Sequence, residues 1–203
     1  MAGMLGYGSA GRYSTIAIGR LIIQYAGFEV PLLLSLIAPA VLARSLSVSG
    51  IVAAQYSSSI WYIFQAPLGF AVFIVATLAE VEKAPFDIPS AKTEIVAGWM
   101  TEFSGRSLAY VKLTKNLSYV FLSALAASLF LGGSSGPVLT QIPALQSVVY
   151  FAYFLTKLFA VGFLIFAIKT ALARIRIEQA TRLFWTILTP LALIHLGVIL
   201  VLK

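Results

Sequence analysis

Five apolar runs, residues 21–43, 59–79, 109–131, 147–168 and 183–202, divide the chain. Each approaches the roughly 20 residues that an α-helix needs to cross a hydrocarbon core about 30 Å thick. Lipid offers no water to backbone N–H and C=O groups, so each run is predicted to be a membrane-spanning helix. The expected fold is therefore all-α: one polytopic helical membrane domain over residues 1–203, with about five spans. Pro31, Pro67 and Pro190 fall inside three of the runs. Each proline ring removes a hydrogen bond and crowds the carbonyl four residues earlier, so the backbone should open at Gly27, Ile63 and Thr186.

Composition agrees with this pattern. Of 203 residues, 60% are hydrophobic and 10% charged, and the mean hydropathy is +0.96, far from what a water-facing surface requires. The chain has no cysteine and one histidine, His195, which removes disulfides, thiolate chemistry and iron–sulfur ligation and leaves no metal cluster to build. Any redox centre is expected on a partner chain. On an apolar span a lone histidine reads first as packing and second as a relay. The opening stretch, residues 1–14, is rich in Gly, Ser and Tyr and lacks the apolar core of a signal peptide, so insertion is expected to rely on the spans themselves.

The net charge of +7 raises the question of nucleic acid, but the basic residues sit at the ends of apolar runs and form no stripe interleaved with aromatics. They read as topology signals. Arg12 and Arg20 precede the first run, Lys83, Lys92, Arg106, Lys112 and Lys115 fall between the second and third, and Lys169, Arg174, Arg176 and Arg182 between the fourth and fifth; residues 132–147 carry no charge. By the positive-inside rule the N-terminus, the 79–105 loop and the 169–182 connection should face the cytoplasm across the cell membrane. Trp61, Tyr62, Trp99 and Tyr110, near run ends, are expected to be interfacial anchors.

Two charges lie within runs, Glu29 and Lys157. Either would cost about 2.5–3.5 kcal/mol facing lipid, so both should point into protein or water. A structural ion pair, with each other or with a neighbouring subunit, is one reading; a shared proton or cation path, with Lys157 tuning a nearby carboxylate, is the other.

Residues 79–105 hold five of the seven acids: Glu80, Glu82, Asp87, Glu94 and Glu102. Pro85 and Pro89 bracket Phe86, Asp87 and Ile88 and should stop the second span and stiffen the turn. Glu94, Gly98 and Glu102 recur every four residues, which predicts a short helix over residues 91–103 with both carboxylates near one face. Solvated surface pairs with Lys92 or Arg106 are the plainer alternative.

The literal string Ala79-Glu80-Val81-Glu82-Lys83-Ala84-Pro85-Phe86-Asp87-Ile88-Pro89, with Glu94-Ile95-Val96-Ala97-Gly98 and Thr101-Glu102-Phe103-Ser104-Gly105 after it, resembles the signature of the subunit 1 family of respiratory complex I and its counterparts in membrane-bound nickel-iron hydrogenases and related ferredoxin-linked complexes. Arg12-Tyr13-Ser14, Arg20, Gln24 and Phe28-Glu29-Val30 are similar to an earlier family element. Thr156-Lys157 and Arg174-Ile175-Arg176-Ile177-Glu178-Gln179 are similar to later ones, so the resemblance covers nearly the whole chain and, within the family, its C-terminal part. It implies a subunit that performs no redox step itself, on which a peripheral redox arm docks and whose acids join that arm to ion-pumping subunits. Carried over by position, Glu29, Glu80, Glu82, Asp87, Glu94 and Glu102, with Lys157, would form the ion path. Arg20, Lys83, Arg106, Arg174 and Arg176 would face the arm. Implied partners are hydrogenase-like large and small subunits and a ferredoxin-like subunit carrying Fe–S clusters and a nickel-iron centre, together with antiporter-like and small membrane subunits. Quinone enters only if the complex is a quinone reductase.

Two departures bear on that choice. Ser90 and Lys92 stand where quinone-reducing members usually carry acids, and the resemblance starts after the N-terminal spans that help to wall a quinone tunnel in those members, so a tunnel walled by this chain alone is not expected. Together with Trp99-Met100-Thr101-Glu102-Phe103-Ser104-Gly105-Arg106, they lean the resemblance toward the hydrogenase type, with proton or sodium movement as the coupled process. The quinone reductase stays as the alternative. A free-standing channel or transporter would be expected to show internal repeats, and the sequence displays none.

Overall fold

The computed structural model describes residues 11–91, 95–96, 98–137 and 143–202. They form helices α1 (Arg12–Ala43), α2 (Val48–Ser58), α3 (Tyr62–Gln65), α4 (Pro67–Glu80), α5 (Gly105–Phe130), α6 (Pro143–Ala171), α7 (Ile177–Arg182) and α8 (Thr189–Leu202). A 3-10 turn, Gly98–Glu102, precedes α5, and a π-helical segment, Leu183–Leu188, joins α7 to α8. Among the described residues no strand occurs.

Among the described residues four helices are long and apolar enough to cross a membrane: Tyr13–Ala43, Gly105–Phe130, Leu145–Ala171 and Ile177–Val201. The expected second span is not one helix. Ala66 leaves helical geometry (φ −129°, ψ 55°) and Pro67 starts α4 at its first turn, where a missing N–H costs nothing and the residue before proline is driven out of the α region. The anticipated opening at Ile63 is therefore a break at Ala66. The 14 residues of α4 rise about 21 Å.

Around the other prolines the chain behaves differently. Pro31 and a further proline, Pro39, lie inside α1, which continues past both. Before Pro190 the backbone widens into the π segment, and Thr189 Oγ1 donates to the Phe184 carbonyl at 2.8 Å. That is the opening expected near Thr186, since a π turn makes room for a proline ring within a helix.

α2 is an element that hydropathy alone does not reveal, being short and serine-rich. Its N-cap Ser47 accepts from Gly50 N–H, and its buried Gln55 donates to the Leu129 carbonyl of α5 at 3.0 Å and accepts from Tyr62 N–H at 3.1 Å. One amide thus ties α2, α3 and the end of α5 together, and supplies partners to backbone groups that would otherwise be stranded in apolar surroundings.

α1 is the central helix, packed on α4, α8, the 3-10 turn and α7; α5 and α6 pair beside it. The main core gathers Phe28, Phe73, Phe86, Phe130 and Phe184, and a second one Ala17, Ala91, Ile95 and Trp99. Outward, Leu33, Phe121, Phe159, Phe163, Ile194 and Val201 are exposed, as spans facing acyl chains should be. Trp99 and Tyr62 are buried at 2% and 4% exposure, so neither is the interfacial anchor that its place near a run end predicts. His195 is buried on α8 beside Gly69 of α4, a packing position.

The helix predicted over residues 91–103 does not run through the segment: Ile95 is helical, its N–H donating to the Ala91 carbonyl at 3.0 Å, and regular helix stops there. Val96 (φ 51°) and Gly98 (φ 61°) both take left-handed backbone, which ends regular helix and leaves the compact 3-10 turn. Gly98 is required there twice over. Its φ is one that other residues rarely adopt, and a Cβ would lie 2.3 Å from the Pro89 carbonyl oxygen and 2.8 Å from Ala17 Cβ.

Candidate functional site

Spacing i, i+4, i+8 sets Leu21, Tyr25 and Glu29 on one face of α1. That face forms one wall of a cleft of about 740 Å³; Tyr110, Thr114, Lys115 and Ser118 of α5 form the other, and Glu80, Val81, Glu82 and Trp99 close it. Three of the expected acids, Glu29, Glu80 and Glu82, thus share one cavity. Glu82 is already neutralised: Lys115 Nζ donates to its Oε2 at 2.7 Å, with side-chain exposures of 3% for the glutamate and 19% for the lysine. Lys115 also lies 5.3 Å from the centre of the Trp99 ring, a cation–π contact that helps hold the ammonium in place. Glu29 and Glu80 have no ion-pair partner among the described residues. Glu29 is on the open side of the cleft and exposed, Glu80 half-buried.

The other expected acids lie elsewhere. Asp87 accepts from Arg174 Nη2 at 2.8 Å, both side chains 32% exposed, and from the Ser90 hydroxyl. Behind that pair Arg20, Arg174, Arg176 and Glu178 rim a hollow of about 300 Å³ floored by Ile88, Ala91 and Ile175. Ile175 N–H donates to the Pro85 carbonyl at 3.2 Å, pinning the proline-bounded loop to the segment that bears the arginines. Glu102, at the end of the 3-10 turn, covers Gly11, where a Cβ would strike its carboxylate. This is the N-terminal end of α1, where a negative charge is favoured. Glu94 and Lys92 lie outside the described residues.

Of the remaining expected docking residues, Lys83 is half-buried beside Asp87, and Arg106 is exposed in the first turn of α5. Lys157 pairs with neither Glu29 nor any carboxylate among the described residues. Its Nζ donates to the carbonyls of Leu131 at 2.7 Å and Ser135 at 2.6 Å and sits 4.9 Å from the Trp61 ring centre. It caps the carbonyl end of α5, where a cation is favoured and the last C=O groups lack helical partners. Replacing Lys157 by methionine is expected to lower thermal stability by about 2 kcal/mol, for two charge-assisted hydrogen bonds lost, and to leave ion movement intact; loss of ion movement at unchanged stability would put Lys157 in the path.

Tyr25, Lys115 and Trp99 are site residues that sequence reasoning missed. Tyr25 was within reach, four positions before Glu29 on a helix. Lys115 was not, because its partner is 33 positions away.

Fold and site together define a polytopic helical membrane subunit with an acid-lined cleft beneath a proline-bounded loop. The family model described as NADH dehydrogenase matches residues 1–200. The H-type subunit of NADH-quinone oxidoreductase from Thermomicrobium roseum is 37% identical over 200 residues, covering 95% of this chain and 56% of that protein. Its counterpart from Bacillus mycoides is 37% identical over 191 residues, covering 94% and 55%. Among solved structures, a chain of the membrane-bound sulfane sulfur reductase, an archaeal respiratory membrane complex, is similar with a TM-score of 0.86 and 27% identity, covering 98% of this chain and 64% of that one. The chain belongs to the NADH dehydrogenase family, that of subunit 1 of complex I, and spans about half the length of the curated relatives it matches.

Proposed function

We propose that this chain is the core membrane subunit of a complex-I-like oxidoreductase. It anchors a peripheral redox arm at the Arg20, Arg174 and Arg176 face and couples electron transfer to proton or sodium movement through Glu29, Glu80 and Glu82. The observation that carries this reading is the shared cleft: two carboxylates without cations stand beside a third that is held by Lys115. Charge arriving at the loop can shift Lys115 between acids and so redistribute protons among them. The loop and the arginine face lie on the cytoplasmic side in this proposal, following the distribution of basic residues. Glu29 on the open side would be costly against lipid, which supports an antiporter-like or small membrane subunit covering the cleft.

Among the described residues no group of three or more His, Asp or Glu is placed to hold a metal, and in this proposal Fe–S clusters and any nickel-iron centre reside in arm subunits. Ser90, which donates to Asp87 in place of a further acid, supports the hydrogenase-type or ferredoxin-linked branch. The names of the curated relatives support a second reading, the quinone-cavity subunit of a quinone oxidoreductase. Identification of the subunits that co-purify with the chain separates the branches. Coupling itself is tested by measuring electron transfer and ion uptake side by side in proteoliposomes of the purified complex. Ion flux from this chain alone would favour a channel.

A further inference from the structure

A second cleft, about 430 Å³, opens between the proline-bounded loop, the first turns of α5 and the last turn of α6. Lys83, Lys112, Lys115 and Lys169 line it, with Asn116 between them and Glu82 and Asp87 at its edge. Both acids are already engaged, Glu82 by Lys115 and Asp87 by Arg174. Lys83, Lys112 and Lys169 are left facing one small cavity with no carboxylate in ion-pair contact among the described residues. Burial pushes the Lys83 ammonium below its ordinary range and Lys169 and Lys115 push it further, while Asp87 and Glu82 act the other way. Lysines gathered around one small cavity favour an anion there.

The setting identifies the anion. Lys112 lies in the second turn of α5 and Lys169 in the last turn of α6, where two spans leave the hydrocarbon. Farther along the groove the Tyr119 hydroxyl donates to the Gly162 carbonyl, which seals the two helices together. The same two helices expose Leu113, Leu117, Phe163 and Phe166, and the Lys169 ammonium lies 5.7 Å from the centre of the Phe166 ring. A phosphate at the lysines therefore has apolar helix surface running away from it into the bilayer. We propose that this cleft binds the phosphate headgroup of an anionic phospholipid whose acyl chains lie along α5 and α6. Basic pockets between spans suit such headgroups, and each lysine acts on the phosphate as a point charge. The proposal does not rest on the coupling function, although Val81, Glu82 and Lys115 line both clefts.

The test uses the purified complex, washed in detergent with phosphatidylcholine and then offered phosphatidylglycerol, with retained lipid read by native mass spectrometry. The complex should hold phosphatidylglycerol through washing. The Lys112→Gln/Lys169→Gln double variant should bind it about 30-fold more weakly, or about 2 kcal/mol. The Lys112→Arg/Lys169→Arg variant, which keeps the charge, should retain it, and an unchanged melting temperature would show both variants folded. Inorganic phosphate at matched ionic strength should fail to displace the lipid. Equal retention by the glutamine variant, displacement by inorganic phosphate, or lipid uptake only after the redox arm is stripped would each overturn the proposal. The last outcome would mean that an acidic partner surface covers the lysines.

Discussion

Proteoliposomes carrying the Glu80→Gln complex are expected to move about a hundredfold fewer ions per electron transferred than the parent complex. Glu80 ends α4 and shares its cleft with Glu29 and Glu82, and it alone of the three is both half-buried and without a cation. Glutamine keeps its shape and hydrogen-bonding reach but cannot take up or release a proton, so the loss reads proton handling rather than packing. Glu82→Gln should differ in kind. It releases Lys115 from its 2.7 Å contact, leaving an ammonium that can turn to Glu80, so both coupling and the stability of the loop should fall. Asp87→Asn breaks only a pair that is one-third exposed on each side, where screening keeps the worth of an ion pair small; ions per electron should hardly change. Ratios in that order support the cleft as the coupling element. An unchanged ratio for Glu80→Gln, with the arm still bound, would reduce the acids to inert anchors.

The long spans were legible because twenty or so apolar residues in lipid leave the backbone one solution. α5, α6 and the last span appear close to where hydropathy puts them. The second span departs from its expected course at a single joint, Ala66–Pro67, because hydropathy passes smoothly over a helix start inside an apolar run. In the loop, residue types told where chemistry would lie, and periodicity misled. The four-residue spacing of Glu94 and Glu102 counts as helical only if every φ between them is negative, and Val96 and Gly98 are left-handed, with Gly98 packed tightly against Pro89 and Ala17. Such contacts join segments distant along the chain, as does the Glu82–Lys115 pair. Local pattern carries no trace of them. Glu29, Glu80 and Glu82 come together where α4 and the start of the loop pack on α1; Asp87 pairs with Arg174 instead, and Glu102 lies against Gly11 at the start of α1.

Besides the buried Gln24 amide of α1, which donates to the Ala79 and Phe86 carbonyls, a ring cluster keeps that loop against α1, and its removal is the second large effect expected. Phe184→Ala should lower the stability of the chain by about 3–5 kcal/mol, read as a lower melting temperature and faster proteolysis within the loop. Phe184 is fully buried. Its ring lies 5.0 Å from that of Phe86 in the loop and 6.2 Å from that of Phe28 on α1, and it covers Gly27, where a Cβ would come within 3.1 Å of its Cδ2. In a membrane protein much of the usual transfer free energy is absent, since lipid is as apolar as the core; the cost here comes from contacts that no neighbour can replace once the ring is gone. Phe86 precedes Asp87 directly, so a loosened ring cluster should weaken the Asp87–Arg174 pair and the hold of the loop on the arginine face. Phe184→Leu, which restores most of the volume, should cost less than about 1.5 kcal/mol. Equal losses for alanine and leucine would mean that aromatic geometry, not filled volume, holds the loop.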